Sequence, residues 1–199
     1  MMRTRSISPG RRNALAALWM TWIVLATWMF GTHRWGSLPA VADACASPAP
    51  DVRFAPSPKA VLSFIHGCRS RGGVGAYAHL QVLDLGYPTL VAAALALALL
   101  ALTGQRPRLR WLALIPVIAS LGDYVENAGA WTLISGRDSA WALHAVQAGS
   151  FTKTTLSWSA WLAVITLLVA HLTDRSSRLQ AQPSAAPRQT KGVSPTGGV

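Results

Sequence analysis

Long apolar runs separated by short polar segments dominate the chain. Four of these runs contain no acidic or basic side chain, at residues 14–30, 87–102, 111–121 and 156–170. The hydrocarbon core of a bilayer is about 30 Å thick, and about 20 mostly apolar residues cross it as a helix. The pattern therefore predicts an all-α fold, a four-span transmembrane helical bundle over residues 14–172, with spans at about 14–32, 76–103, 111–134 and 154–172.

The polar segments predict how this bundle is oriented. Basic residues gather in residues 1–13, between residues 103 and 110, and after residue 172. Basic residues in short loops mark the cytoplasmic side of a membrane. We therefore predict a protein of the bacterial inner (plasma) membrane with both termini in the cytoplasm. A long extracytoplasmic loop is predicted at 33–75, and the polar tail at 173–199 is predicted to be disordered.

The first span also has features of a signal peptide, because a basic start precedes an apolar run. Ala42, Asp43 and Ala44 offer a small-residue cleavage site after it. Its uncharged run is longer than the core of a signal peptide, which has about 7 to 15 residues. We therefore expect a retained anchor. Cleavage, the alternative, would leave three spans and an extracytoplasmic N-terminus.

Several prolines predict that the outer loop is largely extended, with one short helix. Ser57 before Pro58 is a typical helix start, because serine caps free N–H groups and proline fits the first helical position. Val61, Phe64 and Ile65 make this helix amphipathic. Such a pattern favours a position on the extracytoplasmic surface of the membrane.

Composition narrows the class of protein. Charged residues make up 13% of the chain, against about 25% in ordinary soluble domains. This argues against a soluble enzyme, a secreted disulfide scaffold and a disordered chain. The net charge of +11 would indicate nucleic acid only if the basic residues formed a patch, and they flank the apolar runs instead. We expect the lipid bilayer as a partner and no nucleic acid.

Cys45 and Cys68 are the two cysteines of the chain, and both fall in the predicted outer loop. An oxidising exterior permits a disulfide, which we predict here; two free thiols are the alternative. Their spacing excludes a Cys-x-x-Cys pair and a zinc cluster. The histidines also lack metal-ligand spacing, so the sequence predicts no metal site, and it indicates no particular cofactor.

The third span contains unusual chemistry. Asp123, Glu126 and Asn127 interrupt an otherwise apolar helix, at a cost of about 2.5 to 3.5 kcal/mol for each carboxylate in hydrocarbon. Residues three and four apart share one face of a helix. We therefore predict that this polar stripe faces the bundle interior and that the opposite stripe faces lipid, namely Leu114, Val117, Ile118, Leu121 and Val125.

Alternating span directions place further polar residues in the same half of the bilayer. His79 and Asp84 fall in the outer third of the second span, where Pro88 predicts a kink because it removes a hydrogen bond to the Asp84 carbonyl. Lys153 lies at the outer end of the fourth span, and His144 lies in the loop before it. We predict a polar, acidic site in the outer half of the bilayer, with Asp123 and Glu126 as catalytic candidates and Asp84, Asn127, His79, His144 and Lys153 as binding candidates.

Two short motifs carry a family resemblance. Asp84-x-x-x-Pro88 on the second span, followed by Asp123-x-x-Glu126-Asn127 on the third, resembles a group of small bacterial four-helix membrane proteins that has no established activity. The resemblance covers residues 72–172. It implies that Asp84, Asp123, Glu126 and Asn127 belong to one site, and it implies no reaction.

Three functions fit the predicted site, and the pattern does not choose among them. Buried polar residues bond membrane helices to one another, as in a structural or accessory protein that binds a membrane partner protein. Close carboxylates in a low dielectric cannot all stay charged, so one would act as acid and another as base in an enzyme for a lipid-soluble small molecule. A small proton-coupled carrier is the third alternative.

Overall fold

A computed structural model describes residues 9–104 and 106–180 of the chain. Within these residues the fold is all-helical and contains no β-strand, which confirms the predicted class. Seven α-helices and two 3-10 helices follow one another: α1 (Pro9–Gly31), α2 (Leu38–Cys45), a 3-10 helix (Pro50–Val52), α3 (Pro58–Ser70), α4 (Val74–Leu83), α5 (Tyr87–Leu102), a second 3-10 helix (Pro107–Ala113), α6 (Leu114–Ile134) and α7 (Ala140–Gln180).

Three helical segments are long and apolar enough to cross a membrane. They correspond to the first, second and fourth predicted spans and are Asn13–Gly31 in α1, Val74–Leu102 across α4 and α5, and Ala140–Asp174 in α7. The third predicted span corresponds to α6, which is not one of these segments because its acidic and amide residues lower its hydropathy. The described residues thus contain three candidate spans, and a fourth stays a prediction.

A cluster of buried apolar side chains lies at one end of the molecule, which we call the cap. The cap consists of α2, α3, α4 and residues 126–150 of α6 and α7. Its core side chains are buried as in a water-soluble domain, and they include Val41, Phe64, Ile65, Tyr77, Leu133 and Val146. The Sγ atoms of Cys45 and Cys68 lie in this core within disulfide-bonding distance, with their Cα atoms 4.3 Å apart. The predicted pairing would therefore link α2 to α3.

The other end, which we call the shaft, consists of α1, α5, residues 114–125 of α6 and residues 151–174 of α7. Large apolar side chains here point away from the protein: Trp158 is 72% exposed and Leu162 is 65% exposed. In an apolar stretch of 18 residues within each of the candidate spans of α1 and α7, only 6% of the residues are buried. The predicted aliphatic stripe of α6 continues this surface, because Leu114, Val117, Ile118, Leu121 and Val125 are 43% to 59% exposed.

The hairpin of α6 and α7 brings two helix backbones into contact. A Cβ atom placed on Gly149 of α7 would lie 2.6 Å from the backbone nitrogen of Glu126 and 2.6 Å from the carbonyl oxygen of Gly122 on α6. Only glycine leaves room for this approach, which sets how the two helices are aligned. Lys153 lies one helical turn after Gly149. This alignment therefore brings Lys153 beside Glu126.

The predicted outer loop at 33–75 is not extended, because it folds into α2, a 3-10 helix and α3. Ser57 caps α3 as predicted, accepting a hydrogen bond from the Ala60 nitrogen at 3.3 Å. The predicted position of α3 on the membrane surface is wrong. Val61, Phe64 and Ile65 are at most 3% exposed and pack into the cap. An amphipathic pattern specifies an apolar face but not the surface that covers it.

The helix that contains the fourth predicted span is longer than that span. The prediction ends the preceding loop at residue 153 and begins a disordered tail at 173, whereas α7 runs for 41 residues from Ala140 to Gln180. In the sequence, the polar residues before position 154 indicate the end of a span, but in the fold they pack against α6. The rest of the predicted tail, 181–199, and residues 1–8 of the predicted N-terminal segment lie outside the described residues.

Candidate functional site

Lys153 is at the centre of a buried charged cluster between α6 and α7. Its Nζ atom donates a hydrogen bond to Asp123 Oδ1 at 3.0 Å and lies 2.6 Å from Glu126 Oε2. The side chains of Lys153, Asp123 and Glu126 are 14%, 12% and 0% exposed. Buried charges need such partners because each loses its hydration on leaving water. The structure thus joins three of the predicted site residues.

The second span has a break instead of the predicted kink. α4 ends at Leu83, α5 begins at Tyr87, and Asp84 opens the turn between them. Because Pro88 has no N–H, the Asp84 carbonyl lacks its usual helical donor. Asn127 of α6 supplies the missing donor, since its Nδ2 donates a hydrogen bond to the backbone carbonyl oxygen of Asp84 at 3.2 Å. The two sequence motifs therefore meet at this turn.

Tyr124, which sequence analysis did not single out, closes the same turn. Its hydroxyl donates to the Leu85 carbonyl oxygen at 2.8 Å and lies 2.5 Å from Thr89 Oγ1. In the sequence, only its position next to Asp123 indicated that Tyr124 lies near the site. Together, Tyr124 and Asn127 attach α6 to the break between α4 and α5.

Sequence analysis also missed Asp51, which comes from the first 3-10 helix of the outer segment. Its Oδ1 atom accepts hydrogen bonds from Gln81 Nε2 at 3.1 Å and from the Tyr77 hydroxyl at 3.4 Å. Asp51 lines the same cavity as Asp84 and Asp123. The one signal in the sequence was its rarity, because the chain has only seven acidic residues.

Several buried oxygens of this cluster receive no hydrogen bond from the described residues. Buried polar atoms are normally paired, and each one left unpaired costs about 1 to 3 kcal/mol. Five such acceptors in one place mark a site suited to donors from outside the chain. They are Asp51 Oδ2, Gln81 Oε1, Asp84 Oδ2, Glu126 Oε1 and Asn127 Oδ1.

A cavity of about 580 Å³ adjoins the cluster, within the range of about 300 to 1,000 Å³ that is usual for small-molecule sites. From Lys153 to Ile165 its wall follows α7, over about 18 Å of helix. The cavity therefore has two ends of different character. Its polar end has Asp51, Asp84, Asp123 and Lys153, and its apolar end has Trp158, Trp161 and Ile165.

His79 and His144 do not join the cluster, which corrects their prediction as site residues. Both are exposed, and neither lines the cavity. The His79 ring instead packs on Trp35, with ring centroids 5.0 Å apart. His79 precedes Asp84 by five residues, so the two lie on different sides of their helix. In residues 9–104 and 106–180, no three His, Cys, Asp or Glu residues are arranged to hold a metal ion.

The arrangement is suited to holding and moving protons or cations. Lys153 supplies a proton donor between two acceptors, Asp123 and Glu126. Asp84 adds a carboxylate that Lys153 does not reach within ion-pair distance. Charges interact strongly in such a low-dielectric place. A bound molecule would meet these groups at one end and an apolar wall at the other.

Comparison with known proteins adds no assignment. No protein family, no curated protein and no solved structure matches this chain significantly. The resemblance to small bacterial four-helix membrane proteins therefore stays an expectation. The function has to be argued from the site itself.

Proposed function

We propose that this protein belongs to the bacterial inner membrane and spans it four times, through α1, α4 with α5, α6 and α7. The exposed apolar surface of the shaft supports a membrane location. Both termini are cytoplasmic in this proposal, which the basic residues Arg106, Arg108 and Arg110 between α5 and α6 support. The end of the molecule that carries Cys45 and Cys68 then faces the extracytoplasmic side.

Cysteine labelling tests this orientation. In intact cells, a membrane-impermeant maleimide should label the variant Lys59→Cys, which places a thiol on the exposed surface of α3, because Cys45 and Cys68 themselves are buried. In denaturing detergent, Cys45 and Cys68 of the wild type should react only after reduction, whereas a variant with one of them replaced by serine should react without it. Labelling that requires permeabilised membranes would contradict the orientation, and labelling of the wild type without reductant would contradict the disulfide.

In the membrane, the protein binds an amphiphilic, lipid-soluble small molecule in the cavity beside Lys153. The polar group of the ligand contacts Asp84 and Asp123, and its apolar part lies along Trp158 and Trp161. One observation carries this proposal: a single cavity joins the buried charged cluster to an apolar wall. Small-molecule sites typically combine such a wall with a few polar groups that fix orientation.

The position of the cavity supports entry from the lipid. Trp158 and Ile165 line the cavity and are also 72% and 55% exposed on the shaft. On the facing side, Trp19 and Trp22 of α1 contact Trp161, with ring centroids 6.1 and 5.8 Å apart. Side chains rearrange faster than helices. A molecule dissolved in the bilayer would therefore enter between α1 and α7 by displacing these rings.

A cavity-filling variant tests the proposal. Ser157 lines the cavity, whereas the exposed Ser159 does not and donates its hydroxyl to the Thr155 oxygen. Purified wild type and Ser159→Phe should carry a co-extracted amphiphile at near-stoichiometric amounts by mass spectrometry, and Ser157→Phe should lose it. No bound small molecule in the wild type, or equal retention by both variants, would contradict the proposal.

Acid/base catalysis is a second candidate, favoured by the position of Lys153 between Asp123 and Glu126. An enzyme would convert its ligand in detergent, whereas a carrier would move it only across sealed vesicles. A purely accessory protein would do neither and would co-purify with a membrane partner. Glu126→Gln keeps the shape of the side chain, and it should abolish conversion or transport while leaving partner binding intact.

A further inference from the structure

The polar end of the cavity contains more acidic than basic side chains. Asp51, Asp84 and Asp123 line it, and Glu126 contacts the same lysine as Asp123. Among the described residues that line this cavity, Lys153 is the one basic side chain. One ammonium group cannot balance four carboxylates, and in a low dielectric they stay ionised together only if a further cation joins them. This end therefore favours a positively charged ligand.

The hydrogen bonds show which carboxylates remain available. Lys153 forms ion pairs with Asp123 and Glu126, and within the described residues it forms none with Asp51 or Asp84. Asp51 accepts two hydrogen bonds at Oδ1, but its buried Oδ2 has no donor. Asp84 is 7% exposed, and its Oδ2 also has no donor. Two carboxylates at the cavity therefore call for N–H or O–H donors as well as positive charge.

We infer that the ligand is an amphiphile whose polar group is a primary ammonium, and this rests on the proposed amphiphile-binding function. An ammonium group offers one positive charge and three N–H donors, which match the free oxygens of Asp51 and Asp84. A quaternary ammonium brings charge without a donor, an alcohol brings a donor without charge, and a carboxylate adds repulsion. The apolar chain of the ligand then follows α7 toward Trp161 and Ile165.

Four probes with one chain length separate these cases: dodecylammonium, dodecyltrimethylammonium, dodecanol and dodecanoate. Each is added at increasing mole fraction, at pH 8, to phosphatidylcholine nanodiscs that contain the full-length protein, and native mass spectrometry reports the bound fraction. Because charge-assisted hydrogen bonds are the stronger ones, dodecylammonium should bind at least about tenfold more tightly than dodecanol or dodecyltrimethylammonium. Dodecanoate should bind most weakly.

Two matched variants assign the selectivity to the cavity. Asp84→Asn should reduce the preference for dodecylammonium over dodecanol at least about tenfold, because it replaces a charged acceptor with a neutral one. Asp43→Asn makes the same change at an exposed carboxylate that pairs with His33 outside the cavity, and it should leave the preference unchanged. Partition into lipid is the same in every variant, so a change in the ratio reports on the protein.

The outcomes separate this inference from the function on which it rests. Equal binding of dodecylammonium and dodecanol overturns the ammonium assignment, as does tighter binding of dodecyltrimethylammonium, while the amphiphile cavity stands in both cases. If circular dichroism shows that Asp84→Asn does not fold, Asp51→Asn provides the same comparison, and unchanged selectivity there overturns the assignment. If no probe binds saturably and Ser157→Phe changes nothing, the proposed function itself fails.

Discussion

The cap and the shaft use similar apolar side chains in opposite ways. In the cap, Phe64 and Leu133 are 3% and 1% exposed, whereas in the shaft Trp158 and Leu162 are 72% and 65% exposed. Exposed apolar area costs about 25 cal/mol per Å² in water. Such exposure is expected where the surrounding medium is lipid. In the proposed membrane location, the protein covers the apolar side chains of the cap itself, and the bilayer covers the exposed ones of the shaft.

The candidate site lies where these two regions meet. Asp84 follows the last residue of α4 in the cap and precedes α5 of the shaft. On α6, Asp123 belongs to the shaft and Glu126 to the cap. Polar partners such as Tyr77 and Gln81 come from the cap, while the aromatic wall comes from the shaft. A ligand that is partly polar and partly apolar suits this border better than either region alone.

The largest expected effect comes from removing the cation at this border. Lys153→Met leaves Asp123 and Glu126 buried without their partner, and losing one side of a buried ion pair costs about 3 to 5 kcal/mol of folding free energy. Unfolding of the purified protein in detergent measures this loss. Adding Glu126→Gln should recover part of it. The matched control Lys59→Met removes an exposed lysine and should change stability by less than about 0.5 kcal/mol.

A pair of identical truncations tests the difference between the regions directly. Leu133→Ala in the cap removes a side chain that is 1% exposed and should cost about 2 to 5 kcal/mol. Leu162→Ala in the shaft removes one that is 65% exposed and should cost less than about 0.5 kcal/mol in detergent. Equal losses would contradict the comparison, because they would show that another protein surface covers this face of α7.

A smaller loss of stability is expected from a substitution at the contact between α6 and α7. Gly149→Ala places a methyl group 2.6 Å from the Glu126 backbone nitrogen, and overpacking of this kind costs about 1 to 3 kcal/mol. Gly75→Ala is the matched control: nothing lies within 4 Å of its added Cβ, and it sits in helix α4. Alanine there should stabilise by up to about 1 kcal/mol. Thermal unfolding compares the two, and an unchanged melting temperature in Gly149→Ala would contradict the close packing.

The faces of α6 could be predicted from the sequence because a helical repeat is local. Asp123, Glu126 and Asn127 share one stripe, and all three are buried as predicted. The aliphatic residues of the opposite stripe, such as Leu121, are exposed as predicted. A few neighbouring residues are enough to define such a stripe, whatever the rest of the fold does.

Other features could not be predicted because they depend on contacts between distant parts of the chain. Asp51 reaches the cavity from a segment far from Asp123 in sequence, and no periodicity relates the two. Lys153 looks like a loop residue until its partners on α6 are known, which is why the start of α7 was predicted too late. The same limit applies to α3, whose apolar face the sequence shows while its covering surface depends on α2 and α7.

The smallest predicted effect concerns the outer surface of the cap. Asp138, in the turn between α6 and α7, accepts two hydrogen bonds from the Arg69 guanidinium of α3, both at 2.9 Å. His66 Nε2 lies 3.2 Å from the same carboxylate. Arg69 also donates to the Leu133 carbonyl oxygen at 2.6 Å. Because the side chain of Asp138 is 33% exposed, the ion pair should contribute about 1 kcal/mol or less.

The contribution of this ion pair should disappear in acid. Its hydrogen bonds and charge lower the pKa of Asp138 to about 2, whereas an unfolded aspartate titrates near about 3.9. A lowered pKa means that the stabilisation is complete above about pH 4 and is lost as the pH falls toward 2. Wild type should therefore resist proteolysis between α3 and α6 better than Asp138→Asn at pH 6. With a protease active in acid, the difference should be much smaller at pH 2, where about half of the Asp138 carboxyl groups are protonated. Asp43→Asn, which changes an exposed carboxylate within the α1–α2 region, should not alter cleavage there. A difference between wild type and Asp138→Asn that is as large at pH 2 as at pH 6 would show that Asp138 supports the cap through something other than its charge.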